Sequence, residues 1–348
     1  MIARTTLDDV MADKDMASLE LGHMSDDELR VRAAWLYYVG DLNQAETAHR
    51  LGITRARANK LIAEARERGL VTITVNDDAA STQAMETEIV QRYGLGLCMV
   101  TPAVGMTSGV TDAATREAQG QIARRAVGIA AANFLKGKLL SGQPLTVGIG
   151  WGRTMEQMAL HLTGVRNPQA RFVSLLGSLT RNSASNPFEV VQTLATRTGG
   201  EGHFLPVPFV ADSPADRDVL MSQRVVVDAL RVARTADLNI ASLGELGMQS
   251  LVGRQGMLSA AEIESVQAVG GISDLLGRFF NRHGQIVDHE LNLRTAAADL
   301  ADIAHVPLIL LCAGVEKVQA VAALLNSGLV HGLVIDGDTG TRLLNPGS

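Results

Sequence analysis

The chain has 348 residues, room for a small domain beside one large one. A net charge of −6 argues against a bulk nucleic-acid coat and a membrane-surface protein, so any DNA binding must come from a local patch. Hydrophobic content of 46% with 34 Gly and only 3% aromatics suits an α/β protein built from Ala, Leu, Val and Gly.

Residues 1–25 are acidic and unpatterned, which predicts a flexible arm. They contain no basic stretch followed by an apolar run, so no signal peptide is expected. The longest apolar runs, such as Val306 to Ala313, are too short to span a bilayer. A cytoplasmic protein is expected. Cys98 and Cys312 have no CxxC spacing and lie in apolar surroundings, as core thiols of a reducing compartment do.

Residues 26–75 read as a DNA-binding domain. Ser25 caps a first helix through Tyr38, with Trp35 and Tyr37 expected in the core of a three-helix unit. Asn43 and Glu46 have capping-box spacing for a second helix to about Arg50, with Ala45, Ala48 and Leu51 on its inner side. Gly52 supplies the turn, Thr54 caps the third helix and Gly69 ends it. At about 100° per residue, Ala58, Leu61, Ile62 and Ala65 form one apolar face.

Ala56, Lys60 and Ala63 point the other way, with Arg57 and Asn59 on the flanks. The alanines permit close approach to base edges. Lys60 or Arg57 suits guanine O6/N7 and Asn59 suits adenine, while Thr54 and Arg55 at the helix start suit phosphate. Gln44, at the start of the second helix, joins this candidate DNA surface. From Arg50 to Arg68 there are six Lys/Arg against two Glu, a local +4 in an acidic chain and the expected electrostatic footprint. Leu70 to Val75 alternates as a short strand closing the unit.

Residues 76–94 form a polar linker and a helix in which Met85, Ile89 and Tyr93 are four apart, suited to holding subunits or domains together. The remainder, 95–348, begins with a strand at Leu97 to Val100 and a long helix from about Arg116 to Lys136, with Ile122, Ala126, Ala130 and Phe134 along one face. From residue 145 a strand, a glycine and a helix recur. The strands Leu145–Ile149, Phe172–Leu176, Leu238–Leu243, Pro307–Ala313 and Leu333–Asp336 end at Gly150, Gly177, Gly244, Gly314 and Gly337. Continuous apolar strands alternating with helices indicate a parallel sheet covered on both faces. Ligands bind beyond the carboxyl ends of such strands.

The clearest station is Gly148-Ile-Gly-Trp-Gly-Arg-Thr154, where small residues let backbone N–H groups face phosphate or sugar hydroxyls at a helix start. Its spacing is not GxGxxG, so a dinucleotide site is disfavoured. Lys317, in the first turn of a later helix, is either a phosphate or hydroxyl partner or a surface lysine. Asp336 at a strand end can accept from hydroxyls. Asn186, Glu245, Asp274 and Phe279–Phe280 either complete the pocket or are turns and core. The chain has no GxSxG, HExxH, Walker loop or Cys/His cluster, so no catalytic residue, metal or cofactor is assigned.

With these residues in view the chain resembles the SorC family of bacterial sugar-responsive transcriptional regulators. The stretches that carry the resemblance are RVRAAWLYYVGDLNQAETAHRLGITRARANKLIAEARERGLVTI, GIGWGRTM, LLGSL, SDLLGRFFNRHG, AGVEKVQAVAALL and LVIDGDTGTRLL, in order over about nine-tenths of the length. The resemblance implies a winged-type helix-turn-helix domain and a mostly parallel α/β effector domain similar to sugar-phosphate isomerases and CoA transferases. It also implies a homotetramer, a dimer of dimers, binding operator DNA and a sugar, polyol or phosphosugar effector. The effector loops it implies are Gly150–Thr154, which includes Trp151, Gly152 and Arg153, then Gly177–Ser178, Gly244–Glu245, Asp274, Gly314–Lys317 and Asp336. Ser273 replaces the glycine usual before the family's acid, Ser178 stands where a second glycine is common, and Asp336-Gly-Asp-Thr-Gly340 replaces Asp-Glu-x-Thr-Ala.

Two other classes fit less of the chain. A sugar-phosphate isomerase with an appended DNA-binding domain needs an acid/base pair, for which Asp274 or Asp336 are candidates. A pure interaction protein leaves the glycine stations unexplained.

Overall fold

The computed structural model describes residues 25–71, 79–105, 112–178, 186–247 and 250–345. The chain divides into two compact units, residues 1–75 and 76–348.

The smaller unit holds α1 (Asp26–Tyr38), α2 (Gln44–Arg50) and α3 (Arg55–Glu67). Ser25 and Glu28 form a capping box on α1, and Asn43 and Glu46 form one on α2. Each satisfies N–H groups that a helix start leaves without partners. Gly52 turns the chain at φ 61°, and the Thr54 hydroxyl accepts from Arg57 N at 3.2 Å to start α3. Gly69 leaves α3 at φ 69°, a left-handed exit that suits glycine.

Ala58, Leu61, Ile62 and Ala65 are all buried, as the periodicity predicts. Leu61 and Ile62 meet Leu29, Ala33 and Leu51 in one cluster. The buried Arg30 guanidinium donates to Glu64 at 2.9 Å and ties α1 to α3. Two expectations fail here. Trp35 is 58% exposed, because the stripe Leu29, Ala33, Leu36 turns it to the opposite side of α1. Ala45 is exposed and Thr47 takes the inward position beside Ala48 and Leu51. Residues 72–75 of the closing strand, and residues 1–24 of the arm, lie outside the described residues.

The larger unit begins with α4 (Ala79–Tyr93), β1 (Leu97–Thr101) and α5 (Ala113–Leu139). The buried stripe of α5 is Ala123, Val127, Ala131, Leu135 and Leu139, one residue on from the expected face, and Ile122 is 54% exposed. Adjacent stripes of this helix are both apolar, so periodicity alone could not choose between them. The choice is made at Gly128, where a Cβ would come within 2.4 Å of Gln157 on the next helix. After β2 (Leu145–Ile149) follow that helix, α6 (Arg153–His161), and β3 (Ala170–Ser174). Next come α7 (Pro187–Thr198), β4 (Glu201–His203), α8 (Pro214–Met221), α9 (Arg224–Arg234), β5 (Leu238–Ser242) and β6 (Gly244–Glu245). The chain continues through α10 (Leu251–Arg254), α11 (Ala260–Ala268), β7 (Gly271–Leu275), β8 (Arg278–Asn281), α12 (Glu290–Arg294) and α13 (Leu300–Ile303). It ends with β9 (Leu308–Cys312), a 3-10 turn (Val315–Lys317), α14 (Val318–Asn326), β10 (Gly332–Asp336) and α15 (Gly337–Leu344).

Among the described residues β1 to β5, β9 and β10 form one parallel sheet in the order β1-β10-β9-β5-β2-β3-β4. The expected strands are present, with β3 running from Ala170 to Ser174, two residues earlier than expected. Separate hydrophobic clusters cover the sheet, one containing Val173, Leu310 and Ile335 and the other Val147, Phe172 and Val334. Alternate residues of one strand therefore serve opposite faces. Cys98 and Cys312 are buried free thiols, and burial raises the Cys98 pKa to about 12.

A second sheet was not anticipated. Strands β6, β7 and β8 are antiparallel, with Gly244 opposite Asp274. Leu276 and Gly277, at φ 50° and 74°, make the tight turn of the β7–β8 hairpin.

Candidate functional site

The sheet order sets the ends of β2, β5 and β9 side by side. Beyond β2 the chain turns through Gly150 and Gly152 into α6. A Cβ on Gly150 would lie 2.8 Å from that of Ala241, and one on Gly152 would lie 2.5 Å from Ser242 Oγ. Gly152 also has φ 120°, so glycine is required there on two counts. The Ser242 hydroxyl donates to Trp151 O at 2.6 Å and fixes this loop to the end of β5. Trp151 itself is buried against Phe209, ring centres 5.5 Å apart. Because Gly152 has no side chain, the first N–H groups of α6 are left for a ligand or solvent.

Charges enter from the small sheet and from the turn after β9. Asp274 is 3% exposed. Its carboxylate occupies the space over Gly244, where a Cβ would lie 1.9 Å from Oδ1. Burial pushes the Asp274 pKa up to about 7, against the pull of the Lys317 ammonium and the Gly277 N–H. Lys317 is buried, not a surface lysine, and its Nζ donates to Leu243 O at 3.4 Å. Burial also raises Glu245; Lys317, Arg153 and Arg124 oppose this, and Glu316 adds to it.

These groups line one cleft with a cavity volume of ≈ 30 Å³, space for a few waters. Of the residues singled out in the sequence, Trp151, Gly152, Arg153, Thr154, Gly244, Glu245, Asp274 and Lys317 line it. The others stand elsewhere. Gly150 supports the loop from below. Gly177 packs against the Val207 and Pro208 carbonyls, and Ser178 bridges to Pro208. Asn186 caps α7, accepting from Phe188 N at 3.2 Å and from the Ser178 hydroxyl at 3.1 Å. Phe279 is wholly buried in the core.

Asp336 is tied to the fold. It accepts from Gly314 N at 2.9 Å, Thr339 N at 2.9 Å and the Thr339 hydroxyl at 2.6 Å, capping α15 and joining it to the Gly314 loop. Burial raises its pKa, while these three donors lower it. Ser242, Leu243, Leu251 and Val252 also line the cleft and were not foreseen. The rule that ligands sit at strand ends reaches Ser242 and Leu243. Leu251 and Val252 belong to a four-residue helix with no sequence signal.

In the smaller unit Thr54, Arg55, Ala56, Arg57, Asn59 and Lys60 are exposed along α3, and Gln44 is half-buried beside them. Gln44 donates to Asn59 Oδ1 at 3.0 Å, joining α2 to α3. Arg57 meets Asp26 at 2.9 Å and Lys60 meets Glu64 at 3.9 Å. Such exposed pairs are weak and leave both cations able to change partner.

Among the described residues no helix is long and apolar enough to cross a membrane. A family profile described as "Putative sugar-binding domain" matches residues 77–345. The erythritol catabolism regulatory protein EryD of Brucella abortus (strain 2308) is 35% identical over 320 residues, 92% of this chain and 97% of that protein. The transcriptional regulator LsrR of Enterobacter sp. (strain 638) is 28% identical over 327 residues, covering 92% and 94%. The full-length sorbitol operon regulator SorC of Klebsiella pneumoniae has the same fold, with a TM-score of 0.68 at 23% identity over 92% of this chain and 100% of that one. The chain belongs to the SorC family of transcriptional regulators.

Proposed function

We propose that this chain is a DNA-binding regulator whose hold on an operator is set by a sugar, polyol or phosphosugar in the strand-end cleft. The observation that carries the reading is that buried Asp274 and Lys317 line one cleft beside the open start of α6. Hydroxyls both donate and accept, so a cleft lined by carboxylates, cations and backbone N–H groups matches them. EryD is named for erythritol catabolism, and a short polyol is therefore the first ligand class for the cleft.

The smaller unit acts as a winged-type helix-turn-helix domain. Helix α3 enters the major groove, with Lys60, Arg57 and Asn59 on base edges, Ala56 allowing close approach, and Thr54 and Arg55 on phosphate. Gln44 steadies Asn59. Residues 95–348 form the effector and oligomerisation domain, similar to sugar-phosphate isomerases and CoA transferases. The working form is a cytoplasmic homotetramer, a dimer of dimers, which multiplies a local basic patch on an acidic chain.

The effector controls binding only so far as it prefers one of two arrangements of the protein. A gel-shift series with the gene's own promoter, titrated with polyols and phosphosugars, tests this. A ligand that binds the folded protein should change operator affinity; if none does, the coupling is refuted.

One observation favours a second reading. Asp274, with a pKa near neutrality beside Lys317, has the character of an acid/base pair in an isomerase-like enzyme. Turnover of a sugar phosphate, abolished in Asp274→Asn, would establish it.

A further inference from the structure

Beside the cleft, three arginines converge on one carboxylate. Glu117, on α5, meets Arg124 Nη2 at 2.8 Å, Arg153 Nη1 at 3.5 Å and Arg254 Nη1 at 3.6 Å. Of these four residues Arg153 lines the cleft, so the cluster touches the cleft through that one side chain. Arg124 is 5% exposed. It lies back along α5 over Gly120, where a Cβ would come within 2.8 Å of its Nη1. A helical side chain leans toward the helix start, and this small residue leaves room for the guanidinium to do so.

The cluster is electrostatically closed. Burial works against ionisation of Glu117, yet Arg124, Arg153, a hydrogen bond from the Gln121 side chain and Arg254 together outweigh it and hold its carboxyl below the ordinary range. Burial lowers Arg124, and the neighbouring Arg153 charge adds to this, while Glu117 and Glu316 counter it. Arg124, Arg153 and Arg254 thus already share the Glu117 carboxylate, and elsewhere in the cleft Lys317 is opposed by Asp274 and Glu245.

Several guanidiniums converging on one point is how proteins hold a phosphate. Here the chain's own carboxylate occupies that point. We infer that Glu117 excludes phosphate from this site, so that the cleft takes a neutral polyol or sugar and rejects its phosphate ester. The inference rests on the reading of the cleft as the effector site. A phosphate dianion would have to dislodge Glu117 from three partners or lie against a like charge, whereas neutral hydroxyls can share the existing ion pairs.

The test is calorimetry on the full-length protein, wild type and Glu117→Gln, with three probes: inorganic phosphate, erythritol and an erythritol monophosphate. The wild type should bind erythritol, and bind its monophosphate and inorganic phosphate at least about tenfold more weakly, since like-charge juxtaposition at an interface costs well over one tenfold step. Glu117→Gln keeps the side-chain shape, removes the charge, and should gain about tenfold or more for phosphate. That gain should vanish when Arg153→Gln is added.

Monophosphate binding the wild type as tightly as erythritol overturns the inference and leaves the sugar reading intact. So does unchanged phosphate affinity in a folded Glu117→Gln. Should that variant fail to fold, the wild-type comparison of the two erythritol forms decides. If neither form binds the wild type, the sugar reading falls, and phosphate binding by Glu117→Gln alone decides the role of Glu117.

Discussion

In the three-helix unit the residues proposed to meet DNA stand on the surface of α3, with Gln44 of α2 half-buried beside them, while the buried side chains hold the helices together. In the α/β unit the relation is reversed: the ionisable side chains of Asp274 and Lys317 are buried and line the cleft, and Arg124 is buried beside it. Charges on a solvated face need little support, because water screens them and their partners can change. Charges under a sheet need fixed partners, because desolvation penalises each one left alone. The first arrangement suits a surface that must meet a polyanion, and the second suits a cleft that must choose among small molecules.

Five substitutions sharpen this contrast. Leu61 is 4% exposed in the small cluster with Leu29, Ala33, Leu51 and Ile62. Leu61→Ala should cost the three-helix unit about 2–5 kcal/mol, as buried Leu-to-Ala changes do. Operator binding should fail while the melting-temperature rise given by a polyol persists. A loss of both would show that the two regions are not separable in this way.

The Asp274 pKa is raised from 3.8 to about 7, so the folded protein holds a proton there that the unfolded chain releases earlier. Stability should be highest below the unfolded value and fall as pH rises from about 4 to about 7, by on the order of 4 kcal/mol at full ionisation. Asp274→Asn should flatten that slope in thermal melts recorded across the window. A wild-type profile without the fall would show that Lys317 compensates the buried carboxylate fully.

Gly244→Ala would force a methyl group to within 1.9 Å of Asp274 Oδ1. The expected cost is about 1–3 kcal/mol, typical of overpacking, with loss of polyol binding and retention of DNA binding by the three-helix unit. Unaltered polyol affinity would place the ligand away from Asp274.

The smallest effects belong to the exposed face. Lys60→Ala should relax base preference by about 1–3 kcal/mol, if its contact is a bidentate one to guanine. Arg55→Ala should weaken binding to all sequences alike and reduce the salt slope by about 1. Gel shifts on matched and scrambled operators at several salt concentrations separate the two. A uniform loss for both would mean that a different face of α3 meets the groove.

The unequal legibility of the two regions has the same origin as their chemistry. Caps at Ser25, Asn43 and Thr54, the turn at Gly52 and the stripe from Ala58 to Ala65 are interactions between residues three to seven apart, so a linear reading finds them. Where that reading failed, at Trp35 and Ile122, the helix carried apolar residues on more than one side and the neighbouring elements chose the buried one. The strand–glycine–helix stations were equally visible, because a strand covered on both faces is apolar throughout.

The alternation of strands and helices and the basic surface of α3 were thus already determined by the order of the residues. The cleft was not. Arg153, Glu245, Asp274 and Lys317 are scattered along the chain, and they meet because β5 lies between β2 and β9 and because Gly244 pairs with Asp274. Likewise only the folded chain puts Glu117 within reach of Arg153 and Arg254. Periodicity records which side of an element is dry. Which charges must then share that dry space is decided by strand order and register, and these appear only when the sheet has closed.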